Sequence, residues 1–291
     1  MRKNAIIIVL FIANVVSAQT AGDYYKRAVM KYKDKDFAGA IVEYTRAIDL
    51  SPRSAVLYNN RGVCKFNLDR FSEAIKDYEE AINLDPSYVH SYFNKGNSHF
   101  GINEFEDALI SYDKAIDLDP SYVLAYVNRA KVYQKLGDHK SSITDLDLVL
   151  KDPSLKNKEK VYLDRANAYF FLEDYESAIH DYNLSIALNT DYYEAYINRG
   201  QCYFKMDEFE KAIDDFTLSM RLDPKSGEGY YYRGLCRIQM TNDIKAARND
   251  KKTIADVKLN QQLSEMACSD FKKAKVFEYG KAYEALEEYC K

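Results

Sequence analysis

Glycine and proline are scarce in this chain: 291 residues hold 11 Gly and 5 Pro, too few for the turns of an extensive sheet protein or for long loops. Catalytic signatures are missing as well. The sequence has no Gly-rich phosphate loop, no HExxH and no serine in a strand–turn–helix setting. Its four histidines, His90, His99, His139 and His180, stand at unrelated positions, with no cysteine or carboxylate at metal-ligand spacing. These absences argue against an enzyme, a metal site and a small-molecule cofactor.

No excess of basic charge is present either. The formal net charge is −4, and removal of Arg2 and Lys3 leaves 39 basic against 45 acidic side chains, a net −6, which argues against nucleic acid as a partner. Long apolar runs are limited to Ala5–Val16, short for a membrane span. With Arg2 and Lys3 before it and Val16-Ser17-Ala18 after it, that run reads as a signal peptide over residues 1–18, cleaved ahead of Gln19. The expected location is therefore the periplasm or the outside of the cell. No Cys follows the cleavage point, so a bacterial lipid anchor is not expected.

What the chain does have is repetition. RAIDLSP ends at Pro52, EAINLDP at Pro86, KAIDLDP at Pro120 and LSMRLDP at Pro224, each resembling a helix end closed by proline. Aligned on these, repeats start at residues 21, 55, 89, 123, 159, 193 and 227, spaced by 34 residues except for 36 between the fourth and fifth. Such a period implies stacked supersecondary units. Position 4 is tyrosine in every repeat, from Tyr24 to Tyr230, and position 8 is always Gly or Ala. Position 20 is small in all seven, whereas position 24 is bulky (Tyr44, Tyr78, Tyr112, Leu146, Tyr182, Phe216, Phe271). Small residues facing each other let two helices approach closely, so each repeat reads as a helical hairpin. Position 7 is Arg except for Lys95, and position 23 is Asp or Glu except for Ser111, in the same repeat. That coincidence predicts an Arg–carboxylate pair inside each of the other hairpins.

With these positions in place, the chain resembles the tetratricopeptide repeat (TPR) family from Ala21 to about Phe277. The resemblance implies an all-α, right-handed superhelical solenoid of about seven hairpins over residues 19–291, with residues 281–291 as a C-terminal capping helix. Two departures stand out. The fourth repeat carries His139, Ser142, Leu146 and Val149 where the pattern has other residues, suggesting a softer joint. The seventh carries an insert over residues 241–261, either an extension of both helices or a mobile loop. Cys64, Cys202 and Cys236 share position 10 and read as buried structural thiols. Two readings stay open for Cys268 and Cys290: a disulfide between the last repeat and its cap, permitted by an exported location, or a small hydrophobe at Cys268.

In this family the inner wall commonly binds an extended peptide. Positions 2, 5, 6, 9, 12 and 13 lie opposite the hairpin core on the first helix of each repeat, so they are expected to line that wall. They supply Asn60, Asn94, Asn128 and Asn198 at position 6, and Asn97, Lys131, Asn167 and Gln201 at position 9. Phe93 stands at position 5, Phe66, Phe100, Phe170 and Phe204 at position 12, and Lys135 and Lys205 at position 13. Carboxamides can grip a peptide backbone whatever its side chains, and aromatic faces add apolar contact. The same residues would alternatively serve only the stacking of repeats. The chaperone-docking members of the family hold a C-terminal carboxylate with Lys at position 5; here that position is Tyr25, Asn59, Phe93, Val127, Leu163, Ile197 and Tyr231, so no such clamp is expected. The leading expectation is an exported, non-enzymatic adaptor for an extended protein segment. The alternative is a scaffold or spacer associated with a membrane-bound envelope complex, acting through its outer face or insert; a regulatory subunit is a third option. Intact-mass measurement of the exported protein is expected to place its first residue at Gln19, and a secreted form retaining Met1 would refute the leader.

Overall fold

The structure, a computed structural model, describes residues 19–153, 155–246 and 253–290; the expected leader over residues 1–18 and the centre of the insert lie outside the described residues. Among the described residues there are fifteen α-helices and no strand. They form two compact units divided between Asp119 and Pro120.

The first unit holds three hairpins: α1 (Ala21–Lys33) with α2 (Phe37–Leu50), α3 (Ala55–Phe66) with α4 (Phe71–Leu84), and α5 (Val89–Gly101) with α6 (Phe105–Leu118). The second unit holds α7 (Val123–Leu136) with α8 (His139–Leu150), α9 (Lys158–Phe171) with α10 (Tyr175–Leu188), α11 (Tyr193–Lys205) with α12 (Phe209–Leu222), and α13 (Gly227–Ala246) with α14 (Ile254–Val276). There α15 (Lys281–Tyr289) packs on α14, and a Cys268–Cys290 disulfide ties the two helices together. Within each unit, every helix also packs on the next in the chain.

The hairpins close on the small residues at position 8. A Cβ added at Gly62 or Gly96 would lie 2.6 Å from the Tyr78 or Tyr112 ring, and one at Gly234 would lie 2.6 Å from Phe271. Ala28, Ala130 and Ala166 are themselves buried to the same depth. The turn between helices is equally regular. The residue at position 15 has a left-handed backbone in six hairpins, as Lys35, Asp69, Asn103, Glu173 and Asp207 with φ of 56–62° and as Gly137 with φ of 79°. Position 16 then donates its N–H to the carbonyl at position 11, as in Glu104 to His99 at 2.9 Å, satisfying a carbonyl at the helix end. Only Gly137 adopts this geometry without steric cost.

The paired arginines do more than the sequence pattern predicts. Arg61, Arg129, Arg165, Arg199 and Arg233 each send Nε and Nη2 to the carboxylate of their own hairpin (Asp77, Asp145, Asp181, Asp215 and Asp270) at 2.6–3.0 Å, while Arg27 reaches Glu43 through Nε at 2.7 Å. Nη1 of Arg61, Arg165, Arg199 and Arg233 donates to position 25 of the preceding repeat, at Thr45, Asp147, Asn183 and Thr217. One planar guanidinium thus closes a hairpin and joins it to its neighbour. Lys95 accounts for the exception. Ser111 offers no carboxylate, and the ammonium makes only the second bond, to Glu79 of the preceding repeat at 2.8 Å.

Two departures take definite form. Both α13, with 20 residues, and α14, with 23, outrun the 12–14 residues of the other hairpin helices, so the described part of the insert is helical on each side. The chain divides ahead of the fourth hairpin, and within the second unit Gln134 Nε2 donates to the Asp164 carbonyl at 2.8 Å and ties α7 to α9. Cys64, Cys202 and Cys236 are free and fully buried, and burial pushes each thiol up to about 12. Gly96→Leu is expected to lower stability by about 1–3 kcal/mol or more, against less than about 0.5 kcal/mol for exposed Lys114→Ala; equal melting temperatures would contradict the close contact at Tyr112.

Candidate functional site

The first helix of each hairpin presents positions 5, 6, 9 and 12 on one flank, and these build a wall in each unit. In the first unit, α3 and α5 place Asn60, Phe66, Phe93, Asn94, Asn97 and Phe100 there, all half-buried. No residue at these four positions of α3 or α5 carries a charge. In the second unit, α7, α9 and α11 contribute Asn128, Lys131, Asn167, Phe170, Asn198, Gln201 and Phe204, half-buried, with Lys135 and Lys205 exposed at the rim.

The asparagine carboxamides are committed to one another as well as to the wall. Asn59, a position-5 residue that the pattern did not single out, is buried, and its Oδ1 accepts from Asn94 Nδ2 at 3.0 Å and Ser91 Oγ at 3.3 Å. In the second unit Asn167 Oδ1 accepts from Asn198 Nδ2 at 2.9 Å and from the Tyr182 hydroxyl at 2.7 Å. Tyr112 makes the corresponding bond to Asn97 at 2.7 Å. In the second unit the core aromatic Tyr182 therefore reaches through its hairpin to hold a wall residue, which in turn holds the next repeat. Gln201 likewise donates to Glu228 on α13 at 3.0 Å.

The position-12 rings are also less detached from the core than the helical-arc estimate places them. Phe66, Phe100 and Phe204 meet Phe71, Phe105 and Phe209 with centroids 5.3–5.8 Å apart, and Phe170 meets Tyr175 at 5.7 Å. Phe93 meets Tyr112 at 5.9 Å. The reason is geometric: the first helix of a hairpin ends where the second begins, so its last turn faces the first residue of its partner. Each ring keeps an open edge on the wall while its other side packs.

Two local features add shape and charge. A cavity of about 240 Å³, lined by Tyr32, Tyr44, Asn60 and Val63, indents the wall of the first unit. It opens where position 9 is the short Val63, in place of the Asn, Lys or Gln found at that position in α5, α7, α9 and α11. In the second unit Asp164 replaces the asparagine at position 6. Burial pushes its carboxyl above the ordinary carboxylate range, with Lys131 and Lys160 pulling it back down. His99, which the sequence shows with no carboxylate at metal-ligand spacing, has Glu104 Oε2 2.7 Å from its Nδ1, with Asp107 beside them. Those residues straddle a turn, so no single-helix spacing exposes them. Among the described residues no helix is long and apolar enough to cross a membrane.

Comparison with known proteins agrees with this architecture. A model described as TPR repeat matches residues 96–137, and models described as tetratricopeptide repeat match residues 55–88, 159–192 and 193–226, the last three beginning where the period places repeats. None of the curated proteins matches the sequence significantly. Among solved structures, the C-terminal part of a TPR repeat-containing protein from Cytophaga hutchinsonii superposes with a TM-score of 0.67 at 16% identity, covering 90% of this chain and 99% of that one. A tetratricopeptide repeat protein from Parabacteroides merdae gives 0.62 at 19% identity over 92% and 96%. YrrB gives 0.57 at 18% identity over 64% and 95%. At these identities the likeness is one of fold.

Asn167→Ala would strip a buried tyrosine hydroxyl and Asn198 of their shared acceptor. Urea unfolding is expected to show a loss of about 1–3 kcal/mol, against less than about 0.5 kcal/mol for Lys205→Ala. Equal midpoints for the two variants would mean that the asparagines do not hold the stack.

Proposed function

The chain is a tetratricopeptide repeat protein, and from that premise we propose that it is an exported, non-enzymatic adaptor that takes an extended protein segment on the walls built by its first helices. The observation that carries the reading is the composition of the first unit's wall. Uncharged carboxamides and aromatic edges surround an indentation of about 240 Å³ between Tyr32, Asn60 and Val63. A surface serving stacking alone has no need of an indented pocket with an apolar side and a carboxamide. Asn60 can meet a peptide N–H or C=O, and Val63 with the Tyr32 ring can receive an apolar side chain. The wall of the second unit offers Lys131, Lys135 and Lys205 as well, which suits a segment with acidic residues. YrrB, described as a TPR protein with an unusual peptide-binding site, makes the use of such a scaffold for peptides reasonable. Export rests on the leader over residues 1–18.

A second reading, a scaffold in an envelope complex, draws on the seventh hairpin. Ile254 and Val257, at the start of α14, are 79% and 53% exposed, an unusual degree for adjacent-turn aliphatics. The two readings separate by site-specific photocrosslinking in the native host. Probes at Val63 and Lys131 are expected to capture a protein partner, whereas a probe at Lys114 on a second helix is not. Capture from Val257 alone would place the interaction on the extension and overturn the wall. For the captured partner, Asn60→Ala combined with Lys131→Ala is expected to weaken binding at least tenfold, or about 1.4 kcal/mol, with circular dichroism unchanged.

A further inference from the structure

We infer that the turn end of the third hairpin is a binding site for a divalent transition-metal ion of the zinc type, held by His99 from α5 and by Glu104 and Asp107 at the start of α6. One donor atom from each of the three residues lies within 4.8 Å of the others. His99 is 8% exposed, so packing fixes the direction of its ring, and its Nδ1 faces the Glu104 carboxylate at 2.7 Å. Zinc bonds to imidazole nitrogen and carboxylate oxygen are about 2.0–2.2 Å, so three donors around one ion lie within roughly 4.4 Å of each other. Small rotations of the exposed Glu104 and Asp107 side chains, against a fixed imidazole, supply the difference.

Three further observations bear on this hairpin. It is the one hairpin without the Arg–carboxylate pair that joins the two helices elsewhere, because Ser111 replaces the acid and Lys95 turns to Glu79. In the first hairpin, the place of His99 is taken by Lys31, whose ammonium sits 2.8 Å from Asp36, so a cation bridges the same two helix ends there from within the chain. Third, Glu104 at the N-cap of α6, like Glu208 at the N-cap of α12, makes no side-chain capping bond, while Asp36, Asp138 and Asp174 at the equivalent position cap Gly39, Ser141 and Ser177. The Glu104 carboxylate is turned towards the imidazole instead. No other hairpin with this turn combines three ligand-bearing side chains at these positions.

The donor set selects the ion. One imidazole with two carboxylates suits zinc and its first-row neighbours, whereas calcium and magnesium prefer oxygen alone. Two carboxylates with a neutral imidazole balance a dication. Three protein ligands leave a fourth position facing solvent, and the bound ion clips the end of α5 to the start of α6, replacing the missing ion pair.

Zinc titration of the full chain by calorimetry tests this. One site per chain is expected, with a rise in melting temperature on zinc addition and neither effect from calcium. Asp107→Asn, an exposed substitution that leaves the hairpin core untouched, is expected to weaken zinc binding at least tenfold and to abolish the thermal shift, and His99→Gln to do the same. Wild-type protein without zinc binding, or Asp107→Asn binding zinc as tightly as wild type, overturns the site.

Discussion

Each hairpin closes on one contact, a residue no larger than alanine at position 8 against the bulky side chain at position 24, and the neighbouring interactions take their register from it. With those two backbones drawn together, the arginine one residue earlier reaches the carboxylate one residue earlier, 16 positions away in five of the six pairs, while in the last the insert lengthens the interval. The asparagine one residue later meets the hydroxyl of the same tyrosine ring. A larger residue at position 8 would displace all three at once. The Arg side chain also lies over the position-4 tyrosine, 4.4–5.7 Å from ring centroids, so the tyrosine repeated seven times is one wall of the slot in which the guanidinium is held.

The wall residues work in two directions. Asn59, Asn97 and Asn167 spend their carbonyl oxygens on neighbours within the protein, and the position-12 rings spend one face on the second helix of the hairpin. This pre-organises what remains, the outward amide edges and ring edges, and lowers the entropic cost of ordering a binding surface. It also means that substitutions on the wall perturb stacking and recognition together.

Individuality lies where the repeat pattern breaks. The third hairpin trades its ion pair for Lys95, Ser111 and the His99 cluster; the fourth substitutes Gln134 and His139 for the aromatic pair and reaches Asp164 instead; the seventh extends both helices and is capped by a disulfide-linked α15. In the fourth, His139 stacks on the exposed Phe171 of the next repeat, with centroids 4.8 Å apart, restoring an aromatic contact from across the repeat boundary.

The hairpin fold was legible in the sequence because its determinants recur at fixed positions: a small residue and a tyrosine in all seven repeats, and an arginine and an acid in six, are read by counting. The Arg–carboxylate pairs could even be inferred from their joint exception at Lys95 and Ser111. What only the tertiary structure decided is where multi-donor groups send their remaining bonds. A guanidinium has five N–H donors and a carboxamide two, so the pattern cannot say that Nη1 of Arg165 goes to Asp147 or that Asn94 goes to the buried Asn59. The cavity at Val63, the His99 cluster across a turn and the bond from Cys268 to Cys290 depend in the same way on atoms from different helices. Periodicity records which face of a helix a residue occupies; the distance between faces is set only when the helices pack.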